Sequence, residues 1–124
     1  MDDPRPASPI RNGWPLGFIT VDLDGLWALR KCYSQPRRDS FVRDPIWEDG
    51  VPWLLDTFDR LGIHATFFVV ARDLEVDSKR DLAREILRRG HEIANHSLAH
   101  RIGLTRLPMG ELMEDLRASQ LMFE

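Results

Sequence analysis

The sequence predicts an α/β fold in which parallel strands alternate with helices. Three short runs rich in β-branched and aromatic residues, Leu16–Asp24, Ala65–Val70 and Glu92–Asn95, have strand length and composition. Between and after them lie patterns with apolar residues at intervals of three and four, the period of a helix with one buried face. The resulting order of strand, helix, strand, helix, strand, helix calls for parallel pairing through right-handed crossovers. Such folds gather their active sites at the carboxyl ends of the strands.

Taken in order, residues 1–15 hold three prolines before Trp14 and little apolar content, which predicts a flexible arm with Ile10 and Trp14 packed at its end. The folded unit is then 16–124. The first strand, Leu16–Asp24, closes on two aspartates at alternate positions before Gly25. Strand side chains alternate faces, so Asp22 and Asp24 point one way and Leu23 the other. Gly25–Pro45 has no clear period beyond a helical turn at Leu26–Lys31, and a connection this long in a small domain is functional or disordered. It carries Trp27, Arg30, Tyr33, Arg37 and Arg38.

Ile46–Leu61 reads as a helix, with Pro52 tolerated near its first turn, Val51, Leu54, Leu55, Phe58 and Leu61 on its buried face, and Gly62 as its stop. Ala65–Val70 is apolar enough to be covered on both faces. Asp77 or Ser78 caps a helix over Lys79–Arg89 that buries Leu82, Ala83, Ile86 and Leu87, with Arg88 and Arg89 complementing its dipole. The third strand, Glu92–Asn95, runs into His96. Pro108 opens a last helix with Met109, Leu112, Met113, Leu116 and Phe123 on one face, a core stripe with no cofactor role. Trp47 and Trp53 are read as packing residues, and His64 and His91 as structural.

The chain has 124 residues, one small domain's worth. Its 43% hydrophobic and 30% charged residues are the proportions of a soluble globular protein. A net charge of −3 with no basic block excludes a nucleic-acid or anionic-membrane footprint. A single cysteine, Cys32, allows no internal disulfide and has no partner pattern for nucleophilic catalysis. With no signal-like start and no membrane-length apolar run, the protein is predicted to be cytoplasmic.

The chemistry concentrates at two strand ends. In Asn95-His96-Ser97-Leu98-Ala99-His100 two histidines stand four apart, a spacing that puts both rings on one side of a helical turn. Neutral imidazole is the commonest ligand of a catalytic divalent metal. Asp24 completes an Asp-His-His set with an open position, the arrangement of a hydrolytic metal centre. An ion there lowers the pKa of a water and polarises a carbonyl oxygen. Asp22, two residues away on the same face, is the candidate general base. Trp27, Arg30 and Tyr33, following the first strand, are candidate substrate-binding residues. Asn95 fixes the backbone entering the histidine loop.

Three segments also resemble a known family: Thr20-Val21-Asp22-Leu23-Asp24-Gly25, then Ala65-Thr66-Phe67-Phe68-Val69, then Gly90-His91-Glu92-Ile93-Ala94-Asn95-His96-Ser97-Leu98-Ala99-His100. In this order they look like the polysaccharide deacetylase family, or NodB homology domain. The resemblance runs from about Leu16 to the chain end. It implies the N-terminal part of an irregular (β/α) barrel and an enzyme that removes acetyl groups from N-acetylated sugars. Asp24, His96 and His100 match the family's metal ligands, usually for zinc, with cobalt or nickel substituting. Ser97 matches the hydroxyl that braces the histidine loop.

Two departures qualify the match. The commonest first motif has adjacent aspartates, whereas here Leu23 stands between Asp22 and Asp24. That Asp-x-Asp variant occurs in peptidoglycan deacetylase-like and allantoinase-like members, so a small or cyclic amide is the alternative substrate. The family's later motifs, an arginine-proline pair, a tryptophan segment and a late histidine acid, are absent, and a closed barrel needs roughly 200 residues or more. The expectation is therefore a partial domain that is marginally stable and inactive alone. Its exposed sheet edge offers a route to self-association, and a non-catalytic metal-binding module is the third reading.

Overall fold

A computed structural model describes residues 17–34 and 43–124. The predicted arm 1–15, Leu16, and Arg37 and Arg38 of the long connection lie outside the described residues. Three strands, β1 (Thr20–Leu23), β2 (Thr66–Val69) and β3 (Glu92–Asn95), form one parallel sheet in the order β1-β2-β3. The predicted alternation and parallel pairing are both present, and the chain is α/β. Helix α1 (Leu26–Cys32) follows β1, α2 (Val51–Leu61) leads into β2, α3 (Asp77–Arg88) joins β2 to β3, and α4 (Met109–Leu121) follows β3.

The register explains where the core sits. Val21, Phe67 and Ile93 align across the sheet, as do Leu23, Val69 and Asn95. Period-two alternation sends these to one face. There Leu23, Phe67 and Val69 pack with Trp47, Val51, Leu55 and Phe58 from α2 and the turn before it, and with Ala83 and Ile86 of α3. Phe67 is fully buried, with Phe58 edge-on at 6.2 Å and the His91 ring at 5.6 Å. The other face carries Thr20, Asp22, Thr66, Phe68, Glu92 and Ala94, and none of these is buried. The second strand is thus covered on one face only among the described residues, not on both as its apolar run predicts.

Several helix details differ from the sequence reading, each for a local reason. The helix predicted from Ile46 begins as a wide π-type turn, Ile46–Gly50, closed by the Val51 N–H donating to the Ile46 carbonyl. Pro52 has no N–H to give to the carbonyl four residues back, so a regular helical register through this point lacks one bond. The wide turn places Trp47 in the core, as predicted, whereas Trp53 is 64% exposed. Gly62 ends α2 in the left-handed region at φ 64°, which only glycine adopts at little cost.

Helix α3 starts from Val76 with no side-chain cap, so neither Asp77 nor Ser78 plays the predicted capping role. Its buried residues are Lys79, Ala83 and Ile86, while Leu87 is exposed. At its end Arg88 and Arg89 both grip Glu85 and hold its carboxyl down to about 2. Arg89 also reaches Asp56 and Asp59 of α2 at 2.7 and 2.9 Å, tying the two outer helices together. In α4 the predicted stripe holds only in part: Phe123 packs against the core and Leu112 is half-buried, but Met109, Met113 and Leu116 are exposed, and the buried residues are Asp115 and Ser119. No helix among the described residues is long and apolar enough to cross a membrane.

Candidate metal centre

Asp24 lies just past the end of β1, and His96 just past the end of β3. The intervening β2 keeps these strands apart, yet their functional groups converge. Asp24 Oδ1 lies 3.4 Å from His96 Nε2, and Asp24 Oδ2 lies 3.6 Å from His100 Nε2. The two imidazole rings are 5.3 Å apart. One donor atom from each of the three residues falls within 4.8 Å of the others.

The histidine pair is not on a helical turn, as its spacing predicts. His96–His100 is an irregular loop in which Ser97 and His100 adopt left-handed backbone angles, φ 69° and 46°. Such angles cost non-glycine residues energy and persist only where surrounding bonds impose them. Those bonds are present. Asn95 Oδ1 accepts from the Ser97 N–H at 2.9 Å, and Ser97 Oγ accepts from the His100 N–H at 3.1 Å. These are side-chain-to-backbone turns of the kind that Asn and Ser favour.

The loop is also held from outside. The Ala71 and Arg72 N–H groups donate to the Ser97 and Leu98 carbonyls, and the His96 N–H donates to the Val69 carbonyl. From α4, Asp115 Oδ1 accepts from the Leu98 N–H at 3.0 Å, and Ser119 Oγ exchanges hydrogen bonds with the Asn95 amide. These contacts explain why α4 turns two polar residues inward. Asp115 and Ser119 are functional-loop supports that the sequence reading missed. Their signal was a polar pair four apart on a helix whose apolar stripe also lacked continuity.

Opposite the histidines, the Asp24 turn is fixed by another buried carboxylate. Asp73, in the short 3-10 turn Ala71–Glu75 after β2, is 1% exposed. It accepts from the Gly25 N–H at 3.0 Å, the Trp27 indole at 2.8 Å and Lys79 Nζ at 2.5 Å. Lys79 also reaches Asp44 at 2.7 Å, and Asp44 in turn accepts from the Leu26 N–H. A Cβ on Gly25 would lie 2.5 Å from an Asp73 oxygen, so only glycine fits there.

The remaining predicted residues are placed less tightly. Asp22 is exposed on the open sheet face, aligned with Phe68 and Ala94, and Phe68 meets the His96 ring edge-on at 6.1 Å. It is outside the three-residue cluster. Trp27 is tied to Asp73 through its indole, Tyr33 is 75% exposed, and Arg30 is half-buried on α1. Cys32, given no role from sequence, has its sulfur 3.5 Å from His100 Nδ1. His91 is buried, accepts from the Ala65 N–H through Nδ1 at 3.1 Å, and packs among Phe58 and Phe67. His64 Nδ1 lies 2.9 Å from the Gly90 carbonyl. Both take the structural positions predicted for them.

The donor set suits a divalent ion. Asp24 Oδ1 is buried with no hydrogen-bond partner among the described residues, an arrangement that costs energy unless something else satisfies it. Two imidazole nitrogens and a carboxylate with an open side form the common three-ligand pattern of hydrolytic zinc sites.

Residues 40–124, more than two thirds of the chain, match the family described as polysaccharide deacetylase. This chain belongs to the polysaccharide deacetylase family. The matched stretch holds the histidine loop but not Asp24, which joins the cluster through the geometry alone. Two solved structures have a similar fold. A polysaccharide deacetylase from Mycobacterium smegmatis, described as putative, aligns over 97% of this chain and 43% of its own at 26% identity and TM-score 0.64. The peptidoglycan deacetylase PdaC from Bacillus subtilis aligns over 85% of this chain and 40% of its own, at 23% identity and TM-score 0.57. The deacetylase-family chain therefore spans about two fifths of the length of each of these structures. Its parallel sheet and flanking helices correspond to part of the family's irregular (β/α) barrel.

Proposed function

We propose that Asp24, His96 and His100 hold one divalent ion, zinc with cobalt or nickel able to substitute, in a site that hydrolyses the amide of an N-acetylated carbohydrate. The observation that carries this reading is the convergence of three donors from two non-adjacent strand ends, one of them a buried carboxylate oxygen without a partner. When bound, the ion supplies Lewis acidity to the acyl carbonyl and acidifies the attacking water.

The chain's own residues do the rest. Asp22 takes the proton of the attacking water, from a sheet face it shares with Phe68 beside His96. Trp27 and Arg30 lie on α1 directly after the Asp24 turn, Tyr33 caps its end, and the three contact the sugar. None of these residues is assigned to protonate the departing amine, and among the described residues one sheet face stands open. The 124-residue chain alone is therefore inactive or nearly so. The spacing of Asp22 and Asp24 favours a second reading, an allantoinase-like hydrolase of a small cyclic amide. The open face favours a third, a metal-binding module without catalysis.

Metal analysis after zinc dialysis and desalting tests the site. One zinc per chain is expected, falling to a small fraction in His96→Ala and His100→Ala. A folded sample that retains no zinc overturns the metal reading. Acetate release from N-acetylglucosamine oligomers, measured beside ring opening of allantoin, separates the substrate classes. Brisk acetate release by the chain alone overturns the claim of inactivity.

A further inference from the structure

The turn Ala71–Glu75 touches both halves of the candidate centre. Its backbone holds the histidine loop, through the Ala71 and Arg72 N–H groups on the Ser97 and Leu98 carbonyls at 3.0 and 2.9 Å. Its side chain holds the aspartate turn, through Asp73 on the Gly25 N–H at 3.0 Å. Helix α1 also reaches both, through the Ala28 and Leu29 N–H groups on the Gly25 carbonyl and Cys32 Sγ at 3.5 Å from His100 Nδ1, but it is the direct continuation of Gly25, whereas the Ala71–Glu75 turn joins the two from the end of a separate strand.

We propose that Asp73 is the positioning residue of the metal centre, setting the separation of Asp24 from His96 and His100 through this turn. The inference rests on those three residues being the ligands. A carboxylate with 1% exposure is costly to bury, and here it is matched by three donors. Two of them, the Gly25 N–H and the Trp27 indole, belong to the segment immediately after Asp24. The third, Lys79, is shared with Asp44, which grips the next amide, that of Leu26. Consecutive amides after Asp24 are thus fixed by two carboxylates joined through one buried ammonium. Ion pairing alone would need neither backbone contact. The fit is also steric, since any side chain at position 25 displaces the Asp73 carboxylate. Outer supports of this kind govern metal affinity because they remove the ligand's freedom to leave the geometry.

The test titrates cobalt(II), a visible-absorbing probe, into the full chain and its variants, with circular dichroism and melting run alongside. Asp73→Asn keeps the shape but turns a donor towards donors. Gly25→Ala keeps every charge but pushes the carboxylate off the backbone, and serves if Asp73→Asn does not fold. Leu55→Ala, in the core beneath the sheet, is a control for lost stability. Both turn variants should bind cobalt about tenfold or more weakly, with altered visible bands. Leu55→Ala should keep affinity and spectrum despite a lower Tm. A folded turn variant with unchanged affinity and spectrum overturns the positioning role and leaves the ligand assignment standing. Wild-type protein that gives no cobalt spectrum overturns the ligand assignment itself, and this inference with it.

Discussion

Replacing Asp24 by asparagine should reverse the stability order of two proteins according to whether zinc is present. One Asp24 oxygen is buried without a hydrogen-bond partner among the described residues, so without an ion it goes unsatisfied. Leaving such a group unsatisfied costs about 1–3 kcal/mol. Asparagine has nearly the same shape and no net charge to desolvate, so metal-free Asp24→Asn should be as stable as wild type, or more so by about 1 kcal/mol. With zinc at about one hundred times its dissociation constant, wild type gains about 2.7 kcal/mol by mass action. Unfolding entropy of about 2.1 cal/mol/K per residue gives about 0.26 kcal/mol/K for a 124-residue chain. The zinc shift for wild type is then about 10 °C. Asp24→Asn, which replaces the one anionic donor with a neutral amide oxygen, should lose most of it. Differential scanning fluorimetry across a zinc titration reads both signs in one experiment. A wild-type Tm that ignores zinc, or an equal shift in the variant, refutes the assignment of Asp24 as a ligand.

Three further outcomes follow from the packing. Phe67→Ala removes a fully buried ring between Phe58 and His91 and should cost about 3–5 kcal/mol, seen as a lower urea midpoint in fluorescence. An unchanged midpoint would show that the sheet core is packed otherwise. Burial, then the neighbouring His64, pushes the His91 imidazole below its ordinary value of 6.5. The unfolded chain therefore binds the extra proton first, so this contribution is complete above pH 6.5 and is lost as pH falls through the folded value. His91→Gln should flatten that slope in melting curves taken from pH 7 downward, and an identical slope in the variant rules His91 out as its source. Asp115→Ala leaves the Leu98 N–H without its acceptor and should cost about 1–2 kcal/mol, with faster hydrogen exchange at the Leu98 amide. Unchanged exchange would mean that α4 does not brace the histidine loop.

The elements that the sequence reveals best are those dictated by short-range periodicity. The three strands, their parallel pairing and the apolar face of α2 follow from β-branched runs and three-four spacing, and all are present except that Leu61, at the end of α2, is exposed. Buried polar contacts were less legible, because they depend on partners far away in the chain. Lys79 lies off the apolar face read for its helix, yet Asp73 and Asp44, 6 and 35 positions away, draw it inside. Asp115 and Ser119 broke the expected stripe of α4 because the loop after β3 needs their oxygens. Met109 and Met113 then face outward as a geometric consequence. At the candidate centre the three donors could be named from residue type and strand ends alone. The conformation bringing the histidines together could not, since a spacing of four fits a helix as well as a loop bent through two left-handed residues. Asp22 and Cys32 show the same limit in opposite directions. Strand alternation points to Asp22, which lies outside the cluster, and no sequence pattern marks Cys32, which lies against His100.

The placement of Asp24 and His96 has a topological consequence. They are 72 positions apart in the chain and follow strands that are not neighbours in the sheet. An ion bridging them would act as a cross-link, closing a loop whose entropy, on the same reckoning as a disulfide, is worth about 4 kcal/mol. That link would fasten down β1, a four-residue edge strand preceded by the exposed Phe18 and Ile19. Capture of the ion and docking of the first strand would then be a single event, with the metal acting as a clasp on the fold as well as a reagent.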